Sequence, residues 1–534
     1  MGTLQRVLIA ALLIAPSYAF VDGGDLIEKL RSGLSAFYRT VSPVKLHLFF
    51  NQPAYVPGDT AYFKVHLVRA EQMLPLTSKN IINIKLYDKS GRQALRTRFV
   101  VLNGIGHNQL ILPKEIEPGN YLLVAYSDAM AETTTEALFY RQEFIVSGKN
   151  LFTLIAQNLA VFVEGGNFVV GASNTVVVSG LQPNDSARLV EGNGRSAISF
   201  RSDASGFGRF KLVPEEGKIY SVHYRGNHIS MPEAKAGGVA LTVSKNESND
   251  LVVDLYTPSE KLRSVELYLT LTVHDKMCES VRVSFEDTGI VSVPIKRREC
   301  SAGIGQLTLF DSQGNALAER LVFFPPKPLS AKILISKPEF KVREQVDLTI
   351  ALSDLDGKPL QSNAALTVYK RELFNEIPSA SSAFDNLHLQ SDITEWNNLI
   401  SHLPVSDETI DTYLITRKWQ RYDWTRILNN PESSIGSTKP YFFKGRALDE
   451  TGEVVPDSTH ITFWLNQNEI VYGLYTRSNG ELQFPLFMDL ADDNILYAAT
   501  YKKRIIKNVS IEMYDREFSV DLIQRAYGPK QDPY

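Results

Sequence analysis

The sequence has only two cysteines, almost no net charge and no long apolar run after its first twenty residues. Its 56 Lys and Arg nearly balance 60 Asp and Glu, and a net charge of −4 argues against a general polyanion-binding protein, nucleic-acid binders included. Beyond residue 20, no segment approaches the roughly 18 uninterrupted apolar residues of a membrane-spanning helix. The 44% hydrophobic and 10% aromatic content excludes a disordered chain or a coiled coil.

The sequence signatures of common enzyme classes are also missing. The chain contains no His-Glu-x-x-His, Gly-x-Ser-x-Gly, Walker loop or Cys-x-x-Cys motif. The nine histidines are scattered, and no two have the spacing of zinc ligands on one helix. The acidic residues Asp489, Asp492 and Asp493 are better explained as a solvated loop than as a calcium site. We therefore expect no catalytic residue, no cofactor and no metal, and a protein that is not an enzyme.

The first nineteen residues have the pattern of a secretory signal peptide. Arg6 supplies the positive charge, Val7–Ala15 the apolar core, and Ser17–Ala19 the small-residue cleavage site. The apolar core is too short to span a bilayer, and no cysteine lies nearby to carry a lipoprotein anchor. We expect an exported protein, in the periplasm or at the outer-membrane surface.

Regularly spaced turns separate short alternating segments. In an Asp-x-x-Gly turn, Asp accepts from the backbone two residues on, and Gly supplies the positive φ. The turn recurs at Asp88–Gly91, Asp203–Gly206, Asp311–Gly314, Asp354–Gly357 and Asp449–Gly452. Between the turns, segments such as Ile82–Leu86 alternate apolar and polar residues, as half-buried antiparallel strands do. The pattern predicts an all-β chain of tandem antiparallel β-sandwiches.

One strand-turn-strand unit occurs twice. The segment Gln52–Asp59 matches Lys337–Glu344 at a constant offset of 285 residues. Each segment follows one alternating strand and precedes another, so the same supersecondary unit is used twice.

Around the first copy, the sequence resembles a known family. Leu46–Val68 resembles the second domain of the alpha-2-macroglobulin family. Further segments occur in the order found in large Bacteroidota envelope proteins with macroglobulin-like domains: Leu110–Asp128, Val163–Gly166, Gly305–Phe324 and Tyr413–Trp424. Tyr441–Phe518 resembles the carboxypeptidase-regulatory or transthyretin-like sandwich. The resemblance implies immunoglobulin-like or macroglobulin-like sandwiches. It also implies a protein partner, an outer-membrane β-barrel of the TonB-dependent receptor type. The chain would associate with a membrane only through that partner.

These patterns predict the domain boundaries. The predicted units are a signal peptide (1–19), an N-terminal helix (20–42), sandwiches at 43–147, 148–243 and 244–328, a macroglobulin-like sandwich with a helical segment (329–435), a regulatory-like sandwich (436–518) and a tail (519–534). We expect one helix over Thr409–Leu428. Its aromatic residues Trp419, Tyr422 and Trp424 either anchor a partner or, as we favour, fill a junction between sandwiches.

The two cysteines exclude one mechanism and suggest one bond. Covalent protease traps of the macroglobulin family use a Cys-Gly-Glu-Gln thioester, whereas Cys278 is followed by Glu and Cys300 by Ser. The residue numbers are symmetric about Gly289, so a hairpin centred there would place the cysteines opposite each other. The same register opposes Arg282 to Lys296, which is unfavourable unless a bulge shifts it. An even cysteine count in an oxidising compartment favours a Cys278–Cys300 disulfide.

Two functions follow from these expectations. The first is a non-enzymatic envelope scaffold that binds another protein through exposed strand edges or aromatic patches. The alternative is a thioester-free endopeptidase inhibitor. Such an inhibitor needs an exposed bait segment, for which Ser379–Asp392 is the candidate with the least periodicity.

Overall fold

A computed structural model describes most of the chain. It covers residues 23–133, 138–146, 159–245, 250–296, 300–327, 329–362, 364–368, 382–393, 406–429, 442–465, 470–485 and 496–513. The expected signal peptide, the tail and the acidic residues Asp489, Asp492 and Asp493 lie outside these ranges. Antiparallel sheets dominate the described residues, which confirms the predicted all-β class of tandem sandwiches.

The first sandwich contains eight strands. They are β1 (Val44–Phe50), β2 (Ala54–Tyr55), β3 (Thr60–Arg69), β4 (Asn80–Tyr87), β5 (Gln93–Val101), β6 (Ile105–Ile111), β7 (Gly119–Ser127) and β8 (Tyr140–Val146). One sheet has the order β1-β3-β6 and the other β2-β8-β7-β4-β5. Alternate residues of β3 point between the sheets, so Phe63, Val65 and Leu67 are buried in the core.

The second sandwich is smaller. Its strands are β9 (Ala160–Val163), β10 (Asn174–Ser179), β11 (Ser186–Glu191), β12 (Ser196–Arg201), β13 (Gly208–Leu212), β14 (Tyr220–Tyr224) and β15 (Asn227–Ser230). They form the sheets β9-β10-β13 and β12-β11-β14-β15 around one core.

The third sandwich begins earlier than the sequence suggested. Its strands are β16 (Ala240–Lys245), β17 (Leu251–Tyr256), β18 (Leu267–Val273), β19 (Lys276–Val283), β20 (Ile290–Ile295), β21 (Gly303–Asp311) and β22 (Ala316–Phe324), in the sheets β16-β17-β20 and β19-β18-β21-β22. Because β16 pairs with β17, residues 240–243 belong to this sandwich and not to the second, where the predicted boundary at 243 had placed them.

A hairpin of β19 and β20 centred on Gly289 does not form. β19 pairs with β18, and β20 pairs with β17 in the other sheet. Val283 and Ile295, which that hairpin would have paired, both lie in the core, but they belong to different sheets. Periodicity places side chains on a face and cannot choose the sheet to which that face belongs.

The fourth unit is represented by two strands, β23 (Ser330–Ile335) and β24 (Leu348–Ser353). We call this strand pair the ribbon. Its register repeats that of β1 and β3 at the offset of 285 residues: Leu48 pairs with Val65, and Ile333 pairs with Ile350. Where the sequence predicted a sandwich over 329–435, the described residues contain this one sheet followed by helices.

The last sandwich lies at the C-terminal end of the described residues. Its strands are β25 (Phe442–Leu448), β26 (His460–Leu465), β27 (Ile470–Tyr475), β28 (Glu481–Pro485), β29 (Leu496–Tyr501), β30 (Arg504–Ile506) and β31 (Ser510–Met513), in the sheets β28-β25-β31 and β27-β26-β29-β30. Its core also includes Ile81 of the first sandwich.

Six helices accompany the sheets in the described residues: α1 (Gly23–Val41), α2 (Asp128–Thr133), α3 (Glu260–Arg263), α4 (Ala383–His388), α5 (Asp407–Ile415) and α6 (Trp424–Asn429). The single helix predicted over Thr409–Leu428 is therefore two. Residues 416–423 leave the helix, and Trp419 forms a bridge with Ile393. Asp423 then caps α6 by accepting from the backbone N–H of Thr425 at 2.7 Å.

Candidate functional site: the junction between the sandwiches

The helices near the C-terminal side of the ribbon lie against the first three sandwiches. We call the described residues 382–393 and 406–429 the helical segment. α4 contacts β1 of the first sandwich, and α5 contacts β22 of the third. A core cluster joins Tyr413 of α5 to Phe207 of the second sandwich and Leu321 of the third. One short stretch of chain thus touches three separate modules.

The three candidate docking aromatics belong to this junction. Trp419 is 9% exposed and Trp424 is 6% exposed, and Tyr422 lies between them with ring centroids 5.6 and 5.1 Å away. Trp424 packs edge-on against Phe310 of β21 at 5.4 Å. In this conformation Trp419 and Trp424 are buried and Tyr422 is partly buried between them, so the three rings lie in the junction and do not form an exposed patch.

The N-terminal helix joins the same junction. Its buried stripe of Leu26, Leu30 and Leu34 packs with Ile427 of α6 and Tyr268 of the third sandwich. The opposite face carries an exposed ion pair between Lys29 and Asp25 at 2.7 Å. α1 therefore docks on the third sandwich and not simply ahead of the first.

Four buried charged or titratable side chains meet where the first sandwich, the third sandwich and the helical segment converge. We call them the Asp392 cluster: Lys45, His274, Asp392 and Arg421. Lys45 Nζ lies 2.6 Å from Asp392 Oδ2 and also donates to the carbonyl of Leu387 at 2.8 Å. Arg421 Nε donates to the other carboxylate oxygen, Oδ1. His274 Nε2 lies 3.9 Å from Oδ2, and all four side chains are at most 2% exposed.

The electrostatics of this cluster favour a charged carboxylate. Burial alone would raise the pKa of Asp392, but the charges of Lys45 and Arg421 outweigh it and hold this pKa well below its usual range. Burial lowers the pKa of Lys45 to about 8, although Asp392 opposes the shift. Lys45 still carries its proton at neutral pH. Burial and the Lys45 charge lower the pKa of His274 to about 3, so its ring is neutral.

A second buried ion network lies between the second and third sandwiches and α5. We call it the Arg320 cluster: Glu164, Arg209, Arg320 and Asp411. Arg320 Nε donates to Glu164 Oε1 at 3.0 Å, and its Nη2 donates to Asp411 Oδ1 at 2.7 Å. Arg209 reaches the other oxygen of Asp411 at 3.2 Å. The side chains of Arg320 and Glu164 are 1% exposed. Each partner comes from a different element, so the network fixes their mutual positions.

The turn that carries Glu164 depends on glycine. Gly165 has φ 76°, and a Cβ there would lie 2.7 Å from the carbonyl oxygen of Leu241. We expect Gly165→Ala to lower the free energy of unfolding by about 1–3 kcal/mol, through left-handed strain and this clash. Gly166 is the matched control, since it also has positive φ but a Cβ added there would meet nothing within 4 Å. Urea denaturation that gives equal losses for Gly165→Ala and Gly166→Ala would contradict the clash with Leu241.

The two cysteines form a disulfide. Cys278 of β19 is bonded to Cys300, which precedes β21, and their Cα atoms are 5.7 Å apart. The bond links β19 to the part of the chain between β20 and β21, which belong to different sheets of the third sandwich.

We expect the double variant Cys278→Ala/Cys300→Ala to unfold with about 3 kcal/mol less free energy than the parent, because the closed loop restricts the unfolded chain. Chemical denaturation of the oxidised parent and of the variant measures the difference. Treatment of the variant with a thiol reductant should have no further effect, whereas the parent should approach the variant.

The bait segment is only partly compatible with this geometry. Residues 379–381 lie outside the described residues, but Asn386, Leu389 and Asp392 are at most 4% exposed. A protease could not reach these three without opening the junction. Beside them is a partly open pocket of about 20 Å³, lined by residues that include Leu46, Tyr140 and Asn386. It has room for about one water molecule, far less than a ligand pocket needs.

Neither cluster could be found from sequence patterns. Lys45 and Asp392 are 347 residues apart, and each sits among ordinary alternating or loop residues. The one available signal was that Lys45 and His47 are polar residues on one face of β1. Strand alternation predicts that this face is exposed to solvent. The described residues contain no group of three or more side chains suited to a metal ion, and none of their helices is long and apolar enough to cross a bilayer.

Fold and junction together define a tandem β-sandwich protein whose first three modules are joined through one helical segment. No protein-family model matches the sequence, and no curated protein is significantly similar to it.

Several solved structures were matched at low similarity. Latent PorU from Porphyromonas gingivalis is 11% identical with a TM-score of 0.24, over 53% of this chain and 34% of that one. Alpha-2-macroglobulin from Escherichia coli, activated by porcine elastase, is 10% identical with a TM-score of 0.21, over 88% and 44%. Salmonella alpha-2-macroglobulin reacted with methylamine is 10% identical with a TM-score of 0.17, over 88% and 39%. This chain spans less than half the length of each, and the fold assignment rests on the sheets described above.

Proposed function

We propose that this chain is a non-enzymatic, exported macroglobulin-like scaffold that binds another protein in the cell envelope. The proposed partner is an outer-membrane β-barrel of the TonB-dependent receptor type. The observation that carries the proposal is the junction: one helical segment and two buried ion networks fix three sandwiches relative to one another. Buried charges are costly to desolvate, and their best-attested benefit is to specify one arrangement. A scaffold needs such a fixed arrangement, whereas a flexible linker protein does not.

The surfaces available to a partner are strand edges and apolar side chains outside the junction. On the outer face of the first sandwich, Tyr62 is 54% exposed, and on β6 Ile111 is 64% exposed. Aromatic and aliphatic groups displayed on a rigid sheet are suited to protein recognition. The partner itself is suggested by the sequence resemblance and not by the geometry.

Affinity capture from detergent-solubilised outer membranes of the native cells tests the proposal. We expect the tagged chain to recover a β-barrel protein, and the tagged barrel to recover this chain in the reverse experiment. The control is another tagged and exported β-sandwich protein that lacks this junction. It measures nonspecific binding to β-barrel proteins. Failure of both captures, with the chain intact, would count against the barrel partner.

Export has an independent test. If the leader is cleaved after Ala19, amino-terminal sequencing of the chain purified from the cell envelope should begin at Phe20. Recovery of the chain from the cytoplasm with its leader attached would contradict the proposed location.

A further inference from the structure

We propose that a second copy of this chain pairs antiparallel with β24 across a two-fold axis at Thr349. The observation behind this inference is the ribbon, whose apolar side chains are unusually exposed. Ile333 is 56% exposed, Leu348 36% and Ile350 42%. The equivalent residues of the first sandwich, Leu48, Phe63 and Val65, are at most 4% exposed. The inference goes beyond the proposed binding of a barrel and does not depend on it.

The internal repeat shows what the ribbon lacks. In the first sandwich, β3 pairs with β1 along one edge and with β6 along the other. The ribbon reproduces the first pairing in the same register. Within the described part of the chain, no strand takes the place of β6 beside β24. The open edge of β24 therefore corresponds to an edge that the fold elsewhere fills with an antiparallel strand.

Hydrogen bonds at the end of β24 identify which backbone groups face this open edge. After the turn at Asp354–Gly357 the chain folds back, and Leu360 N–H donates to the carbonyl of Leu352 at 2.9 Å. Ser353 pairs with Ser330 on the opposite side. Because backbone groups alternate sides along an antiparallel strand, the N–H and C=O groups of Leu348 and Ile350 face the open edge.

The fold-back at Pro359 and Leu360 covers the C-terminal end of this edge, and the remainder has neither a charge nor a proline to oppose pairing. β24 reads Leu-Thr-Ile-Ala-Leu-Ser, with no charge and no proline. The adjacent strand β23 carries Lys332, a residue type that discourages edge-to-edge association. An exposed, uncharged, alternating edge of this kind is a template for another strand.

Three residues of β24, Leu348, Thr349 and Ile350, are complementary to themselves. With the axis at Thr349, Leu348 of each copy lies opposite Ile350 of the other, so both pairs are apolar and on one face. Leu348 and Ile350 then exchange their free backbone hydrogen bonds, and the carbonyl of Leu352 keeps its bond to Leu360. Such an isologous contact closes on itself as a dimer. A neutral and self-complementary edge fits a second copy better than it fits a charged partner.

Cysteine crosslinking of the mature chain tests the register. At the axis the two Thr349 Cα atoms would be about 4.5 Å apart, within reach of a disulfide. We expect Thr349→Cys to form a disulfide-linked dimer on mild oxidation. Ala351→Cys is the matched control, because it lies on the same face but about 13 Å from its counterpart. Equal crosslinking of both variants, or of neither, would overturn the proposed axis.

Charge substitution tests the association itself by sedimentation velocity. Ile350→Lys and Ile350→Glu should each sediment as monomers, and an equimolar mixture of the two should recover the dimer. Ile333→Lys, on the same face of β23, should remain dimeric. A parent chain that stays monomeric at all concentrations would overturn the proposal. The dimer proposal would also be overturned if the parent formed no dimer and Ile350→Lys lost the capture of the barrel. The edge would then bind the barrel partner, and the scaffold function would stand.

Discussion

Replacement of Asp392 by alanine is expected to lower the free energy of unfolding by about 3–5 kcal/mol. The carboxylate is fully buried and balances Lys45 and Arg421, which would be left as two buried cations without their counter-ion. Breaking a buried pair in this way costs far more than the pair itself contributes. Urea denaturation followed by tryptophan fluorescence suits the measurement, since Trp419 and Trp424 lie in the same junction.

Asp25→Ala provides the matched control for this prediction. Asp25 pairs with Lys29 at a similar distance, but both side chains are about half exposed. An exposed pair within one helix is worth about 0.3–0.5 kcal/mol. Similar losses in the two variants would show that the Asp392 cluster is solvated and does not hold the junction together.

Acidification from about pH 6.5 to pH 4 is expected to destabilise the folded protein through two buried histidines. Burial lowers the pKa of His47 to about 4 and that of His274 to about 3, from an ordinary value near 6.5. The unfolded chain therefore binds protons that the folded chain excludes, so stability is present above pH 6.5 and is lost as the pH falls. The expected loss is about 2–3 kcal/mol for each histidine at about pH 4.5.

The two histidines can be separated from other acid effects by substitution. His47→Gln and His274→Gln should each flatten the dependence of the free energy of unfolding on pH between about 4 and 6.5, whatever their effect at neutral pH. His107→Gln is the control, because His107 is exposed on β6. An unchanged slope in both buried-histidine variants would mean that these rings are already protonated or solvated in the folded state.

Local geometry was well predicted from the sequence. All five Asp-x-x-Gly turns form, with glycine φ angles between 80° and 85°. In each turn the Asp side chain accepts from the backbone N–H two residues on, as at Asp88 and Ser90. These contacts lie within five residues of sequence, so they depend on little else. The repeat at 285 residues was similarly reliable, because it reports a register set by neighbouring strands.

Predictions failed where a residue's environment comes from a distant part of the chain. Strand alternation by itself would leave Lys45 on a solvent-exposed face, but α4 contacts β1 and the ammonium group is buried. The predicted helix over 409–428 was interrupted because Trp419 is drawn into the junction core. The hairpin around Gly289 was split because its two strands pair with different neighbours.

The sequence by itself determined the antiparallel class, the turns and the repeated strand pair, since periodicity and turn chemistry act over a few residues. Only the tertiary structure decided which sheets share a core, where the aromatic residues of the helical segment lie and which charges meet at Asp392 and Arg320. Those outcomes depend on contacts between residues hundreds of positions apart. The free energy of such contacts comes from burial and desolvation where the residues meet, so no local sequence pattern reports it.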